Sequence, residues 1–281
     1  MKRAWIKSSV MAAAALALAL VWFATAPVNL AAAQIGAAPS GSVPRIDGHP
    51  DLSGVWWPGS DIGGARGAPA GGGARGGGRG GAPQTPPPPS YNSLYQPSAQ
   101  EKAKTLSDKD DPTLRCIPVA FGTLNVSLFS VGAVGQIVQT PKFVVMLTET
   151  YHGFQIIPTD GRAHRDDVPP AYRGDSVGHW EGDTLVVDTT NFSDSTWMFA
   201  EGRVSPHSDA LHIVERYHRL DANTLEVEAR VEDPKMLTAP WTVPKQTLKL
   251  APFDEIMSLN CSGIETQSLM DAAAKQNYGK K

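Results

Sequence analysis

Two alternating runs on either side of Gly182-Asp183 constrain this chain more than any other stretch. The segment 174–189 reads Gly-Asp-Ser-Val-Gly-His-Trp-Glu-Gly-Asp-Thr-Leu-Val-Val-Asp-Thr. A two-residue Gly-X connection between alternating strands is typical of a type II′ β-hairpin. This turn fixes the register and sets Trp180 opposite Leu185. Because side chains alternate along a strand, a one-residue slip would mix the two faces, so we expect the register to be well specified.

The rest of the chain carries many short runs of strand-like composition and no long helical pattern. The runs lie at 51–57, 126–131, 136–139, 143–149, 154–157, 211–220, 225–231, 241–250 and 255–261. The run 143–149 is apolar on both faces, which predicts a strand buried on both sides. Many short strands joined by tight turns are typical of an antiparallel barrel or sandwich. We therefore predict an all-β fold.

A second hairpin is expected around Ala222-Asn223. Pairing Leu220 with Leu225 would set Arg219 against Glu226, and opposite charges across an antiparallel pair are favourable. The same register sets Glu215 against Arg230. It also places the row His212, Val214, Arg216, His218 and Leu220 on the face of Leu225, Val227, Ala229 and Val231. We therefore expect that row to line the barrel interior.

The first 33 residues have the pattern of a Sec-type signal peptide. Three basic residues precede an apolar run over 10–26, and 31–33 is Ala-Ala-Ala. An uncleaved membrane anchor is the rival interpretation, because the run approaches the length of a membrane span. The small residues after the run favour cleavage. We therefore predict an exported protein, periplasmic or extracellular, that begins near Gln34 and has no stable membrane insertion after cleavage.

The predicted domain organisation follows from composition. Residues 63–89 are nearly all Gly, Ala, Pro and Arg, and such a stretch cannot bury enough apolar surface to order itself. One short helix is possible at 98–106. The predicted parts are a signal peptide (1–33), an N-terminal linker (34–50), a first barrel strand (51–58), a disordered insertion with linker (59–109), a β-barrel domain (110–262) and a C-terminal tail or short helix (263–281).

Charge and cysteine content limit the partners. The net charge is −3, and loss of three cations with the signal peptide brings it to about −6. Lysine and arginine form no stripe, which argues against nucleic-acid binding. Two cysteines, Cys116 and Cys261, remain in the exported chain. An isolated pair in an oxidising compartment predicts one disulfide, which would stabilise the fold by roughly 4–5 kcal/mol in the chain-entropy model.

Two resemblances extend these predictions. Gly54-Val55-Trp56 resembles the G-x-W opening of lipocalin-like (calycin) barrels, which implies an antiparallel barrel with room for one small ligand. The phrases at 51–56, 139–141, 159–162, 179–189 (His-Trp-Glu-Gly-Asp-Thr-Leu-Val-Val-Asp-Thr) and 207–216 (His-Ser-Asp-Ala-Leu-His-Ile-Val-Glu-Arg) resemble a family of uncharacterised secreted bacterial proteins. That resemblance implies export and a β-fold, and it implies no particular activity.

The interior of the second hairpin is the first candidate site. Arg216, His218 and His212 are expected to project into the barrel, where a buried arginine needs a partner. Glu149 or Asp188 is the expected carboxylate partner, and the alternative is an anionic ligand. Arg216 and its carboxylate partner also have an ordinary interpretation, as a structural network without any ligand.

A second candidate is the pair of His179 and Asp188, which lie diagonally across the first hairpin. A carboxylate that accepts a hydrogen bond from an imidazole raises its basicity, which is what a general base needs. No serine or cysteine stands in a nucleophile-elbow context, so a catalytic triad has no support. A solvent-exposed surface pair is the ordinary alternative.

Two long polar loops, 162–173 and 192–209, adjoin the first hairpin. Long loops on a rigid β-scaffold often carry function, so His164, Arg173, Trp197 and His207 are expected at the mouth of a cavity. The histidine spacings match no helical zinc motif, and Asp166-Asp167 lacks the alternating oxygens of a calcium loop. We therefore predict no metal and no cofactor.

Three functions remain compatible with the sequence. The first is an exported barrel that binds a small, largely apolar molecule, aromatic or carboxylated. The second is a cofactor-independent isomerase, lyase or hydrolase in the same cavity, using His179 with Asp188 or His218 with Glu149. The third is a structural or interaction module with a packed core. A small-molecule ligand is the expected partner in the first two, and the oligomeric state is open.

Overall fold

The computed structural model describes residues 42–59, 89–120, 134–149, 153–198 and 204–257. Their strands are β1 (Arg45–Ile46), β2 (His49–Pro50), β3 (Gly54–Trp57), β4 (Gly135–Gln139), β5 (Phe143–Thr148), β6 (Phe154–Pro158), β7 (Asp175–Glu181), β8 (Thr184–Thr190), β9 (His212–Asp221), β10 (Thr224–Glu232) and β11 (Trp241–Leu250). Helix α1 spans Pro97–Lys104 and overlaps the expected helical stretch 98–106, and 3₁₀-helices span Tyr91–Leu94, Asp108–Asp110 and Pro112–Arg115. The predicted signal peptide, most of the Gly/Pro-rich insertion, the run 126–131 and the tail lie outside the described residues.

Within the described chain, β3 to β11 form one nine-stranded antiparallel sheet in the order β6-β5-β4-β3-β11-β10-β9-β8-β7. The sheet curls into a nearly closed barrel, which confirms the predicted fold class. Its two end strands, β6 and β7, meet at a seam. There the Gln155 side chain donates hydrogen bonds to Ser176 Oγ and, over 3.3 Å, to the carbonyl of Arg173.

The predicted register of the first hairpin is confirmed. Trp180 pairs with Leu185, His179 with Val186 and Val177 with Asp188. Gly182 takes a positive φ of 61°, as the first central residue of such a turn requires. The inner face carries Gly178, Trp180, Leu185 and Val187; both Leu185 and Val187 are fully buried.

The predicted register of the second hairpin is wrong by one residue over most of its length. Asp221 pairs with Thr224 around the expected turn, but a β-bulge then sets Leu225 opposite Arg219 and leaves Leu220 unpaired. An extra residue in one strand reverses the facing of every residue beyond it. The interior row of β9 is therefore Ile213, Glu215, Tyr217 and Arg219, each at most 6% exposed. The row predicted to be interior faces outward.

Side chains pack the barrel interior in two clusters. One cluster surrounds Trp56 of β3 and includes residues from strands on either side of β3 in the sheet. Its buried members include Leu52, Ile137, Met146, Ile157, Leu185, Tyr217, Leu225 and Leu248. The other packs the segment 91–103 against the inner face of β9 to β11, with Tyr91 edge-on to both Tyr95 and Trp241. Part of the predicted linker therefore belongs to the core.

The N-terminal linker predicted at 34–50 also contributes structure where it is described. Asp47 and Gly48 both have positive φ, as a tight hairpin turn between β1 and β2 requires. His49 stacks on Trp180 with ring centroids 4.5 Å apart. Arg45 pairs with Asp183 at 2.7 Å. This small hairpin therefore lies against the turn of the first predicted hairpin.

Strand β5 is buried on one face only, so the prediction of burial on both faces is wrong. Val144 and Met146 are fully buried on the inner face. The outer face leaves Phe143, Phe154 of β6 and Ile156 of β6 between 39% and 64% exposed. An antiparallel sheet needs only one covered face, and the outer side chains here are apolar without being packed.

No helix in the described part of the chain is both long and apolar enough to cross a membrane. Cys116 follows the 3₁₀-helix Pro112–Arg115 with a positive φ of 61°. The described residues contain no free cysteine. Because Cys261 lies outside them, its pairing with Cys116 stays a prediction.

Candidate functional site

The outer face of β7 to β10 brings polar side chains of distant segments together around Asp188. Asp188 lies opposite Val177 of β7 and Val214 of β9. Because outward side chains recur every second residue, Asp175 and His212 lie diagonally beside it on the same face. Glu232 of β10 lies directly opposite His212. The strand registers therefore place His212, Asp188, Asp175 and Glu232 close together on this face, and the loop after β6 adds His164.

The contacts form a continuous chain. Nε2 of His164 and Nε2 of His212 each lie 3.0 Å from the same oxygen, Oδ1 of Asp188. Nδ1 of His164 lies 3.1 Å from Oδ2 of Asp175, and Nδ1 of His212 lies 3.6 Å from Oε2 of Glu232. We call these five residues the histidine–carboxylate cluster. Every imidazole nitrogen in it faces a carboxylate.

Hydrogen bonds shape the electrostatics of the cluster, since an ionised carboxylate accepts hydrogen bonds and donates none. Burial alone would raise the pKa of Asp175, but hydrogen bonds from His164 and Arg165 outweigh it and hold the pKa below its ordinary value. Arg165 donates through Nε to Asp175 over 3.0 Å. His164 therefore lies between two carboxylates, with Asp175 at Nδ1 and Asp188 at Nε2.

A groove of about 620 Å³ runs across β9, β10 and β11 beside the cluster. Its lining includes Val214, Arg216, Arg230, Glu232, Thr242 and Lys245. Glu232 belongs to both the groove and the cluster.

The cations of the groove are already paired with acidic side chains. Arg216 lies 2.6 Å from Glu181, and its hydrogen bond, followed by that of His179, lowers the pKa of Glu181. Arg230 lies 2.8 Å from Glu232. Lys245 lies 2.6 Å from Glu228. Each pair is partly exposed, so each contributes little to stability and can exchange partners at low cost.

Three of the residues singled out from the sequence meet in the cluster: His164, Asp188 and His212. The expected pair of His179 and Asp188 does not form. His179 lies 3.2 Å from Glu181 instead, because Asp188 is occupied by the two other imidazoles. The structure thus provides a carboxylate with an imidazole, as predicted, but with a different histidine.

The other expected site residues are dispersed. Arg216 and His218 face outward, so an interior site built on them is wrong; His218 contacts Thr184 Oγ1 over 3.2 Å. Glu149 is buried and accepts a hydrogen bond from the backbone nitrogen of Met257. Trp197 is 5% exposed and its backbone forms a bridge with Pro206. Arg216 pairs with Glu181 on the outer face instead of with Glu149 or Asp188.

The barrel interior has charged residues that the sequence prediction missed or placed elsewhere. Arg173, expected at a cavity mouth, is partly buried and donates to Thr148 Oγ1 over 3.2 Å; loss of hydration lowers its pKa. The Tyr217 hydroxyl donates to Glu215 over 2.9 Å. Arg219 donates to backbone carbonyls and lies over the Trp56 ring. These groups stabilise the core around them.

His207, also expected at a cavity mouth, is fully buried. Its Nδ1 donates to the carbonyl of Ser208 over 2.8 Å, and Thr196 Oγ1 lies 2.7 Å from Nε2. Burial lowers the pKa of His207, so the ring is kept neutral. Its contacts fix a loop and leave it no exposed nitrogen for a ligand.

The cluster has two members that sequence reasoning missed, Asp175 and Glu232. The first could have been found, because the correct hairpin register already sets Asp175 opposite Thr190, on the outer face and diagonal to Asp188. The second depends on the register beyond the bulge in β9, which no local pattern indicated.

Comparison of the chain with protein-family models, with curated proteins and with solved structures found no match.

Proposed function

We propose that this protein is an exported binding protein that holds a small carboxylated molecule with an apolar, aromatic body in the groove across β9 to β11. The observation that carries the proposal is the groove's volume of about 620 Å³. Pockets for small molecules usually measure a few hundred to about 1,000 Å³ and combine apolar walls with a few polar groups.

The lining fits such a molecule chemically. Val214 and Pro244 offer aliphatic surface to an apolar body, and Arg216 and Arg230 offer guanidinium groups. Guanidinium groups bind carboxylates through two parallel hydrogen bonds. A ligand carboxylate would replace an exposed glutamate as the partner of one guanidinium group. One ion pair would thus be exchanged for another.

The packed barrel interior supports a ligand site on the outside of the barrel. The inner residues of β3, β8 and β9, such as Trp56, Leu185 and Tyr217, are fully buried against one another. Small eight-stranded barrels are often filled by their own side chains in this way. The proposed ligand therefore lies outside the barrel wall, whereas the sequence interpretation expected it within.

The test uses 1-naphthoate as probe and its uncharged amide, 1-naphthamide, as the matched ligand control. Isothermal titration is performed on the mature wild type, on Arg216→Ala, and on His218→Ala, which changes the same outer face two residues away and outside the groove lining. We expect 1-naphthoate to bind the wild type and His218→Ala equally, and at least tenfold more weakly to Arg216→Ala. Equal binding of acid and amide, or an unchanged affinity in Arg216→Ala, contradicts the proposal.

Native mass spectrometry of protein purified from its host's exported fraction complements the titration. A retained molecule of a few hundred daltons would identify the natural ligand class. The polypeptide mass also tests export directly, because cleavage after Ala33 leaves a chain that begins at Gln34. A full-length mass in that fraction contradicts the cleavage.

A further inference from the structure

The outer face of β4, β5 and β6 presents a continuous apolar surface. We call its members the apolar patch: Val138, Phe143, Val145, Leu147, Phe154 and Ile156. The four most exposed members are between 39% and 64% exposed. The strand registers set the members side by side, with Phe154 opposite Leu147 and Ile156 opposite Val145. A contiguous exposed surface without any charge usually marks a contact with another segment or molecule.

The size of the patch favours a small occupant. A fully exposed aromatic side chain presents about 150–250 Å², so the four exposed members together leave roughly 300–400 Å² in contact with water. A stable interface between two proteins buries about 800 Å² on each partner. A second copy of this chain would therefore need about as much contact again outside the patch, whereas one short amphipathic helix matches the patch in size.

The chain after β11 runs toward the patch. The backbone nitrogen of Ala251 donates to a carbonyl of β3 over 2.8 Å, and the Gln136 side chain of β4 donates to the carbonyl of Asp254 over 3.3 Å. The backbone nitrogen of Met257 then donates over 2.8 Å to Glu149, which directly follows β5. Since β3, β4, β5 and β6 are successive neighbours in the sheet, this segment crosses it strand by strand. The next strand in its path is β6, whose outer side chains are the most exposed of the patch.

The chain continues for 24 residues beyond Met257, the last described residue, and this C-terminal segment (258–281) contains an amphipathic pattern. Its stretch 267–276 reads Gln-Ser-Leu-Met-Asp-Ala-Ala-Ala-Lys-Gln. At 3.6 residues per turn, a helix over this stretch places four apolar residues on one side, Leu269, Met270, Ala273 and Ala274. The opposite side carries Ser268, Asp271 and Lys275. The sequence therefore predicts a helix with one apolar stripe.

We propose that the apolar stripe of 267–276 docks on the apolar patch, so that the C-terminal segment covers the outer face of β5 and β6. The lengths agree. From Leu147 to Phe143 the patch extends about 13 Å along β5. A ten-residue helix is about 15 Å long. The connecting part, 258–266, reaches up to about 30 Å, which is several times the spacing of neighbouring strands.

This contact is separate from the proposed ligand groove. The groove lies across β9, β10 and β11, and the apolar patch lies on β4, β5 and β6. The inference therefore goes beyond the proposed function and does not depend on it.

Hydroxyl-radical footprinting of the mature protein, read by mass spectrometry, measures the access of water to Phe154. The docked helix shields this side chain in the wild type. Leu269→Asp places a charge in the apolar stripe and should raise the labelling rate of Phe154 at least threefold. An equal rate in the wild type and in Leu269→Asp would overturn the proposal.

Ser268→Asp is the matched control, because it adds the same charge at the neighbouring position on the opposite side of the helix. It should leave the labelling rate of Phe154 as in the wild type. Tyr172, which is 46% exposed and lies outside the patch, serves as the internal reference and should be labelled equally in all three proteins. A rise at Phe154 in Ser268→Asp as large as that in Leu269→Asp would show that the stripe has no specific role, and the proposal would be wrong.

Lysine cross-linking of the unaltered protein tests the same contact without relying on a variant. Lys142 directly precedes β5 beside Phe143, at one end of the patch, and Lys275 lies near the end of the predicted helix. We expect a link between these two lysines within one chain. Mixing isotopically light and heavy protein separates links within a chain from links between chains. A Lys142–Lys275 link found only between chains would assign the patch to a second copy, and the absence of this link would show that the segment lies elsewhere; either result contradicts the proposal.

A change on the patch itself completes the test. Phe154 is 64% exposed, so Phe154→Asp alters the patch and leaves the barrel core intact. It should lower the yield of the Lys142–Lys275 link at least fivefold. Tyr172→Asp, the same charge introduced at an exposed aromatic residue outside the patch, should leave the yield unchanged. Equal yields in the two variants would mean that the link does not report docking on the patch, and the proposal would fail.

Discussion

Arg216 and Arg219 lie three residues apart on β9, and the barrel wall separates them. Arg216 is partly exposed and pairs with Glu181. Arg219 is 6% exposed, donates to the backbone carbonyls of Asp51, Asp221 and Ala222, and lies 5.1 Å from the centre of the Trp56 ring. Burial lowers the pKa of Arg219 because the charged form loses hydration. The two arginines therefore differ in what their removal leaves behind.

We expect Arg219→Met to lower the free energy of unfolding by about 2–4 kcal/mol, because it leaves buried carbonyl groups without donors. Arg216→Met, the matched control, should change it by less than about 1 kcal/mol, since exposed ion pairs contribute little. Urea denaturation followed by tryptophan fluorescence measures both. A larger effect at Arg216 than at Arg219 would mean that the strand faces the other way.

At the scale of single elements, the two hairpins show what sequence patterns determine. The register of β7 and β8 was predictable because the Gly182-Asp183 turn and the alternating pattern agree, and both are local. The turn of β9 and β10 was also predictable. The bulge at Leu220 was not, because it places Arg219 inside the barrel against Asp51 and Trp56, which are far away in the chain. Cross-strand charge pairing was a weaker guide than burial.

Three of the five members of the cluster were singled out from the sequence, but their assembly was not predicted. His212 and Asp188 were expected together inside the barrel, and His164 was expected at the mouth of a cavity. Their meeting depends on the pairing of β8 with β9 across the connection 191–211, and on the loop that carries His164. Neither follows from a local period or turn motif. Arg216 and His218 were misplaced for one reason, the single extra residue in β9.

Two glycines flank β7, and their substitution tests which contacts fix the backbone conformation at its ends. Both have positive φ, 68° at Gly174 and 61° at Gly182, but a Cβ at Gly182 would meet open space. A Cβ at Gly174 would collide with the carbonyl oxygen of Thr190 and lie 2.8 Å from Cγ2 of Thr189. Gly174 precedes Asp175, so the close packing there also positions the carboxylate that holds His164.

Gly182→Ala should therefore lower the free energy of unfolding by about 1 kcal/mol, the cost of a left-handed backbone for alanine. Gly174→Ala should lower it by about 2–4 kcal/mol, since overpacking adds to that cost. Thermal unfolding of the two variants measures the difference. Equal destabilisation would show that Thr190 moves aside freely and that the packing at Gly174 is loose.

At the scale of the whole molecule, the described sheet has two ends, and the seam between them closes the barrel. The ladder runs from β6 to β7 through seven other strands. The ends are joined by side chains: Gln155 reaches Ser176, and Ile157 packs where Gly178 has no side chain. Backbone amides with fewer ladder partners open at lower free energy, so β6 and β7 should exchange hydrogen faster than β9 and β10.

Gly178→Ala tests whether side-chain packing holds the seam. The added Cβ would lie 2.9 Å from Cγ2 of Ile157 and 3.2 Å from Cγ2 of Thr159. We expect a loss of about 1–3 kcal/mol in unfolding free energy, the usual cost of overpacking, with faster exchange confined to β6 and β7. Hydrogen exchange read by mass spectrometry locates the change, and β10 is the internal reference.

A double-mutant cycle with Ile157→Ala identifies the cause. If the added methyl group acts by pushing Ile157 out of the seam, Gly178→Ala should cost little in the Ile157→Ala background, where the colliding atom is gone. Additive costs would mean that the methyl group acts elsewhere, through Leu185 or the backbone of β7. The seam would then depend mainly on the polar contacts of Gln155, and Gln155→Leu would open the barrel more than any change at Gly178.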